Sequence, residues 1–180
     1  MRLGVAEINQ HAVAEILGDK PCVAGDRFAN ATVVGADHLA QILGVVARRP
    51  RIPDNYLDLL NQKKAFASLA TVMANGSPQV TPVWFDYQGG NIRVNTAKGR
   101  VKSRTLKPGA PVALAIMDPD NPYRYIQIRG RVSRAVEAGA DAHIDSLAKK
   151  YLGKESYPFR QPGEVRIMYE IEPEAVSGMD

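Results

Sequence analysis

"TVMANGSPQVTPVWFDYQGGNIRVNTAKGRVKSRTL", residues 71–106, holds two turn signals and one change of period, and these decide the fold. Asn75-Gly76 and Gly89-Gly90 are dipeptides that close hairpins, because a tight turn between twisted strands needs backbone with positive φ. The runs on either side of the second turn, "QVTPVWFDY" and "NIRVNT", read as strands. After Thr96 the alternation stops, and Gly99 opens "GRVKSRTL", which reads as a short helix.

Working outward, "AFASLATVMA" is an apolar strand that ends in "NGSP", and "PVALAIMD" is another, stopped by "DPDNPY". The carboxylates of "DPDNP" sit among Pro and Asn, so a turn explains them better than catalysis does. "YRYIQIRGRVSRAVE" is the longest strand and puts Ile126, Ile128, Gly130 and Val132 on one face, while "GEVRIMYEIEPEAV" is the last. Six strands, mostly joined by short turns, imply a mainly β chain whose antiparallel sheet curls into a barrel. Helices are peripheral. "PDNYLDLLNQKK" starts one before the strands, and "GADAHIDSLAKKYLG" forms another, with Ala140, Ile144, Leu147 and Tyr151 as a core-facing stripe and Gly153 as its stop.

The barrel domain is expected over residues 51–180, after the Pro-punctuated linker "RRPRIP". Residues 1–46 are Ala/Val/Gly-rich with short helical patterns and no chemical motif. Two readings stay open for them: a helical N-terminal extension, or sequence upstream of a chain whose native start lies near Val46. The lone Cys22 rules out an intramolecular disulfide and reads as a small incidental residue. His11, His38 and His143 are far apart without ligand spacing, so no metal site is expected. The start lacks the pattern of a secretory leader and no apolar run is long enough for a bilayer, which points to a cytoplasmic protein.

Charge locates the site. The chain carries a net +4, yet residues 93–107 alone hold six cations and no acid. Lys98, Arg100, Lys102 and Arg104 recur at every second position where a strand hands over to a helix. There, free backbone N–H groups, the positive end of the helix dipole, the Thr96 hydroxyl and the basic side chains would converge on a phosphate. Within a helix, Lys98 and Lys102, or Arg100 and Arg104, would share a face, at a cost of several tenths of a kcal/mol that a bound dianion offsets. The plainer alternative is a solvated basic face. Nucleic acid is disfavoured: aromatics are 7% of residues, and the cations gather at one turn instead of tracking a groove. In "QVTPVWF", Pro82 cannot donate to a ladder, which marks an edge, a bulge or a place where backbone meets a ligand; Trp84 beside it either lines a flat pocket or belongs to the core.

The stretch 71–106, with "ALAIMDPDNPYRYIQIRGRV", "ADAHIDSLAKKYLG" and "PFRQPGEVRIMYEIEP", resembles the pyridoxamine 5′-phosphate oxidase-like split β-barrel family, the FMN-binding split-barrel type. More closely it is similar to the B-class flavin/deazaflavin oxidoreductases, which use coenzyme F420. The resemblance runs in order over residues 51–177. It implies a homodimer with cofactor sites at the interface, and reduced F420 delivering a hydride to a small unsaturated or conjugated organic substrate. The ring would lie along Gln79, Thr81, Pro82, Val83 and Trp84, and the phosphate would be held by Asn95, Thr96, Ala97, Lys98, Arg100, Val101 and Lys102. Arg104 would reach the phosphate or the acidic tail. No catalytic acid is identified; Tyr125, Arg129 and Arg160 are the candidates. Other members of this fold use the same phosphate block for FMN as oxidases or reductases, carry F420 without catalysis, or bind haem or nucleic acid, and these remain the alternatives.

Overall fold

The computed structural model of the chain describes residues 49–180; the expectations for residues 1–46, including Cys22, His11 and His38, lie outside the described residues. Seven strands form one antiparallel sheet: β1 (Ala67–Val72), β2 (Pro78–Val83), β3 (Phe85–Gln88), β4 (Asn91–Ala97), β5 (Pro111–Met117), β6 (Tyr125–Val136) and β7 (Arg166–Met179). Their order is β2-β1-β5-β6-β7-β4-β3.

The seventh strand arises because the segment expected as one strand over residues 79–87 is divided at Trp84. β2 pairs with β1, where Pro82 faces Ser68, and β3 pairs with β4, where Phe85 faces Val94. Pro82 is tolerated because β2 has a neighbour on one side only, so its missing N–H deletes no second ladder. β2 and β3 are the two outermost strands of the order, yet one residue joins them. The sheet must therefore curl until its edges approach each other. This is the split β-barrel, and Trp84 stands at its seam.

The turns follow their sequences. Gly89 and Gly90, with φ of 61° and 84°, make the two-residue connection between Gln88 and Asn91 that the strand twist favours. At the centre of β6, Gly130 meets β7 so closely that a Cβ there would lie 2.1 Å from the Glu172 carbonyl oxygen, next to a break in the β6–β7 register. Only glycine fits.

Alternating residues fill the interior: Leu69, Phe85, Ile92, Leu114, Ile126, Ile128 and Ile171 are essentially inaccessible to solvent. Helix α1 (Leu57–Asn61) adds Leu59 and Leu60 to this core. Helix α2 (Val101–Thr105) follows β4, and α3 (Ala140–Leu152) follows β6. The expected stripe of α3 is buried, and His143 is buried with it. At its end Gly153, with φ of 70°, lets the chain turn back while its N–H bonds the Lys149 carbonyl.

The "DPDNP" segment is a turn, as its composition indicates, and also the centre of an ion network. Asp118 accepts from Lys63 at 2.6 Å and from Arg124 at 2.7 Å, while Arg124 also bonds Asp58 at 2.6 Å. The Lys63 ammonium, then the Asp120 amide and Arg124, hold the Asp118 carboxyl well below the usual carboxylate range. The network ties the start of the domain to the β5–β6 turn.

Candidate functional site

A cleft of about 320 Å³ opens where the end of β2 and the Trp84 seam meet the end of β4, the start of α2, and α3. One wall is polar and positive: Asn95, Thr96, Arg100, Lys102 and Arg166. The opposite walls are apolar, from Pro82, Val83, Ile144 and Leu147, with Phe66, Trp84, Tyr157 and Phe159 as aromatics. Its size is at the lower end of small-molecule sites, and its lining is divided about evenly between polar and apolar surface.

The polar wall starts where β4 ends. Thr96 is 2% exposed, and its hydroxyl has no hydrogen-bond partner among the described residues. Gly99, with φ of 89°, then turns the chain, and Arg100 takes the N-cap position of α2. A cap of Ser, Thr, Asp or Asn would satisfy one of the first helical amides; arginine offers no side-chain acceptor, and since the Ser103 N–H donates to the Arg100 carbonyl at 3.0 Å, the amides of Val101 and Lys102 are the ones that keep their capacity. Lys102 extends to Thr81, whose hydroxyl oxygen accepts from Nζ at 3.2 Å. Burial, and secondarily the charge of Arg100, pull the Lys102 ammonium below its ordinary value. An anion beside it would reverse that shift.

Asn95 is fixed by a polar chain beneath the cleft. Its Nδ2 donates to the Ala140 carbonyl at 2.8 Å and lies 3.3 Å from Nδ1 of His143. An amide NH2 can only donate, so Nδ1 accepts and Nε2–H of His143 points to Asp86, 3.3 Å away. Asp86 in turn is paired by Arg93, whose Nε donates at 2.8 Å. Burial pushes the Asp86 carboxyl up, but Arg93 and His143 outweigh it and bring it down to about 2. With Nδ2 committed, Oδ1 of Asn95 faces Nη1 of Arg166 at 3.4 Å.

The aromatic wall is also supported from behind. Trp84 stacks on Tyr151 with centroids 5.2 Å apart and planes within 3°. The Tyr151 hydroxyl donates to the Ala65 carbonyl at 2.7 Å and receives the Phe85 N–H at 3.3 Å, and burial pushes its pKa to about 12. Tyr157 meets Trp84 edge-on and Phe159 meets Tyr157 likewise. Both come from the loop after α3, which is tied to that helix: the Tyr157 N–H donates to Asp145 at 2.7 Å and Arg160 pairs with Asp141 and Asp145.

Of the residues singled out in the sequence, Pro82, Val83, Trp84, Asn95, Thr96, Arg100 and Lys102 line this cleft, and Thr81 adjoins it through Lys102. The others stand apart. Gln79 accepts from Thr71, Ala97 is buried at the strand end, and Lys98 pairs with Glu137 at 3.2 Å. Val101 and Arg104 lie on the exposed side of α2. The helix begins at Val101 and spans five residues, so Lys98 and Arg100 precede it and the expected four-residue pairs on one face do not form. One turn also gives a weak dipole, which leaves side chains and open amides as the means of holding an anion. None of the candidate acids lines the cleft: Tyr125 and Arg129 belong to β6 and Arg160 is committed to α3.

The sequence reading missed Phe66, Ile144, Leu147, Tyr157, Phe159 and Arg166. The stripe of α3 had marked Ile144 and Leu147 as inward-facing without saying toward what. Tyr157 and Phe159 sit in a Pro/Gly-rich loop that carries no periodic signal, and Arg166 is a single cation heading an apolar strand. Among the described residues no helix is long and apolar enough to cross a membrane, and no group of His, Cys, Asp and Glu could hold a metal ion.

The family model for pyridoxamine 5′-phosphate oxidase matches residues 52–180. A solved structure named F420 reductase is 32% identical, with a TM-score of 0.60 over 70% of this chain and 98% of that one. More distant structures share the fold: the conserved hypothetical protein Rv2991 of Mycobacterium tuberculosis, at 21% identity and a TM-score of 0.54 over 74% of this chain and 88% of that one, and HutZ, the heme storage protein of Vibrio cholerae, at 16% and 0.52 over 70% and 94%. No curated protein matches the chain.

Proposed function

The chain belongs to the pyridoxamine 5′-phosphate oxidase family, and from that premise we propose that it is an oxidoreductase whose cleft binds coenzyme F420. The observation that carries this reading is the division of one cleft into a positive wall, with an unpartnered buried hydroxyl at Thr96, and an aromatic wall around Trp84. A phosphate on a flat ring has the same two-part chemistry. The relative named F420 reductase supports the choice of ring.

Bound in its reduced form, F420 supplies a hydride at carbon 5 of its ring. Everything else is the task of this chain. Lys102, Arg100 and the first amides of α2 would hold the phosphate, with Thr96 donating its hydroxyl. Pro82, Val83 and Trp84 would set the plane of the ring, and Trp84 is kept in place by Tyr151 behind it. Phe159 and Phe66, each more than half exposed, stand at the mouth, where a small unsaturated or conjugated substrate would cover them and exclude water. A second copy of the chain, completing a homodimer in the cytoplasm, would supply the rest of the enclosure. FMN is the second reading, because it presents a phosphate and a flat ring to the same two walls.

Fluorescence titration with F420 and with FMN, followed by turnover of reduced F420 with quinones, enones and tetrapyrroles, tests the proposal. Micromolar binding of F420, weaker FMN, and oxidation of the reduced coenzyme by one of these acceptors is the expected result. Tight FMN alone would transfer the site to the flavin reading; F420 binding without any turnover would make the protein a carrier. Absence of binding by either up to about 100 µM would overturn the proposal.

A further inference from the structure

Arg166 opens β7 as the cross-strand neighbour of Ala97 and lines the cleft, though it is only 3% exposed. Its guanidinium is held on two sides. Nη1 donates to Asn95 at 3.4 Å, and Cζ lies over the Tyr157 ring, 4.5 Å from its centroid. The remaining edge is buried and unsatisfied: neither Nε nor Nη2 makes a hydrogen bond among the described residues. That edge is the side-on fork, whose two parallel N–H groups match the two oxygens of a phosphate or carboxylate. Leaving such donors buried and unpaired is costly, so a guanidinium serving packing alone would have them satisfied.

Glu164 stands beside the fork. Its Oε1 accepts from Nη2 of Arg100 at 3.0 Å, and its Oε2 is 3.1 Å from Nη2 of Arg166, near enough for charge pairing but without hydrogen-bond geometry, so that Oε2 is unpartnered too. One carboxylate is thus stretched between two arginines and satisfies neither fully. With Lys102 and the Thr96 hydroxyl on the same wall, three cations face a single internal acid.

We propose that Arg166 is a binding group for the oxyanion of the cleft's ligand, and that Glu164 is an internal carboxylate which the arriving oxyanion displaces from the arginines. The inference rests on the cleft being the ligand site and deepens that reading by naming a residue the phosphate block did not contain. Arg166 presents its fork, Asn95 and Tyr157 hold the guanidinium in plane, and Glu164 keeps the arginines partly neutral while no ligand is present. A dianionic phosphomonoester gains more from release of Glu164 than a phosphodiester carrying a single charge.

The test uses the ¹⁵N-labelled full-length protein and follows the Nε–H resonance of Arg166, assigned by its loss in Arg166→Lys. Inorganic phosphate is the first probe, with F420 and FMN after it. Phosphate at roughly 50 mM should shift this resonance. Arg166→Lys, which keeps the charge and loses the fork, should weaken F420 or FMN by about tenfold. Glu164→Gln should tighten either cofactor by about threefold to tenfold, FMN by the larger factor, and lower the Tm of the unliganded protein, because it leaves a buried cation less compensated. If Arg166→Lys does not fold, the resonance is assigned by through-bond correlation to the Arg166 backbone, and it and Glu164→Gln decide. A resonance unmoved by phosphate and by both cofactors, or cofactor binding in Arg166→Lys equal to wild type, overturns the assignment of Arg166. Weaker binding in Glu164→Gln overturns the displacement. Should phosphate move the resonance while neither cofactor binds, the Arg166 site stands and the cofactor reading falls.

Discussion

Arg124 and Arg166 are both withdrawn from solvent, with side chains 20% and 3% exposed, and they are satisfied to very different degrees. Arg124 meets Asp58 and Asp118, and the Lys63 beside it meets Asp118 and Asp120, so every cation of that cluster has a carboxylate in bonding range. Arg166 has Glu164 at 3.1 Å but without hydrogen-bond geometry, Lys102 reaches only a hydroxyl, and Thr96 donates to nothing among the described residues. The two clusters have similar composition and opposite states of completion. A network built to hold the barrel together closes on itself; one built to take a ligand is left short of an anion.

Substitutions can break this contrast. The largest effect should come from Asp118→Asn, which removes the acid shared by Lys63 and Arg124; the Tm should fall by roughly 5–10 °C while affinity for the cofactor stays unchanged. An altered affinity at unchanged Tm would show that the closed cluster is not merely structural. Next is Asp86, which supports the cleft through His143 and Asn95. Its carboxyl, depressed from 3.8 to about 2, contributes stability that is complete above the unfolded value and lost as pH falls from there through about 2. Asp86→Asn should therefore cost about 2 kcal/mol at neutral pH in denaturant unfolding and flatten the acid limb. A mutant with the wild-type acid profile would contradict the pairing.

A smaller effect, on binding rather than stability, is expected from Arg100→Ala combined with Lys102→Ala. F420 should weaken at least tenfold, about 1.4 kcal/mol, because two charge-assisted hydrogen bonds are lost. Isothermal titration checks this, and full affinity in the double variant would remove the phosphate from that wall. The smallest effect is a pH dependence. Burial lowers the Lys102 pKa and a bound phosphate raises it, so affinity should be constant at low pH and decline as pH rises through the depressed value of the free protein. Lys102→Gln should be weaker throughout and show no such decline. A wild-type profile parallel to that of the variant would mean that Lys102 does not touch the anion.

Much of the fold was legible because strands and turns state themselves locally. Asn75-Gly76 and Gly89-Gly90 set the hairpins, alternation set the inward faces, and the stripe of α3 set its packing. The division at Trp84 was not, since nothing between Val83 and Phe85 interrupts the apolar run. It follows from the closing of the sheet, in which residues two apart belong to strands at opposite edges. The site was half legible for the same reason. Thr96, Arg100 and Lys102 are neighbours in sequence and announced themselves as a cluster, whereas Arg166 joins them only through β4–β7 pairing, and Glu164, Tyr157 and Phe159 only through a loop tied to α3. Charge in the sequence also overstated the cluster: Lys98 is taken by Glu137, a partner 39 residues away that spacing could not foresee.

The crystal structure of the protein with F420 bound tests the central claim most directly. The phosphate should lie within hydrogen-bond distance of Lys102, Arg100 and the Thr96 hydroxyl, with the ring beside Pro82 and Trp84. A phosphate seated elsewhere, with this wall still facing solvent, would contradict it.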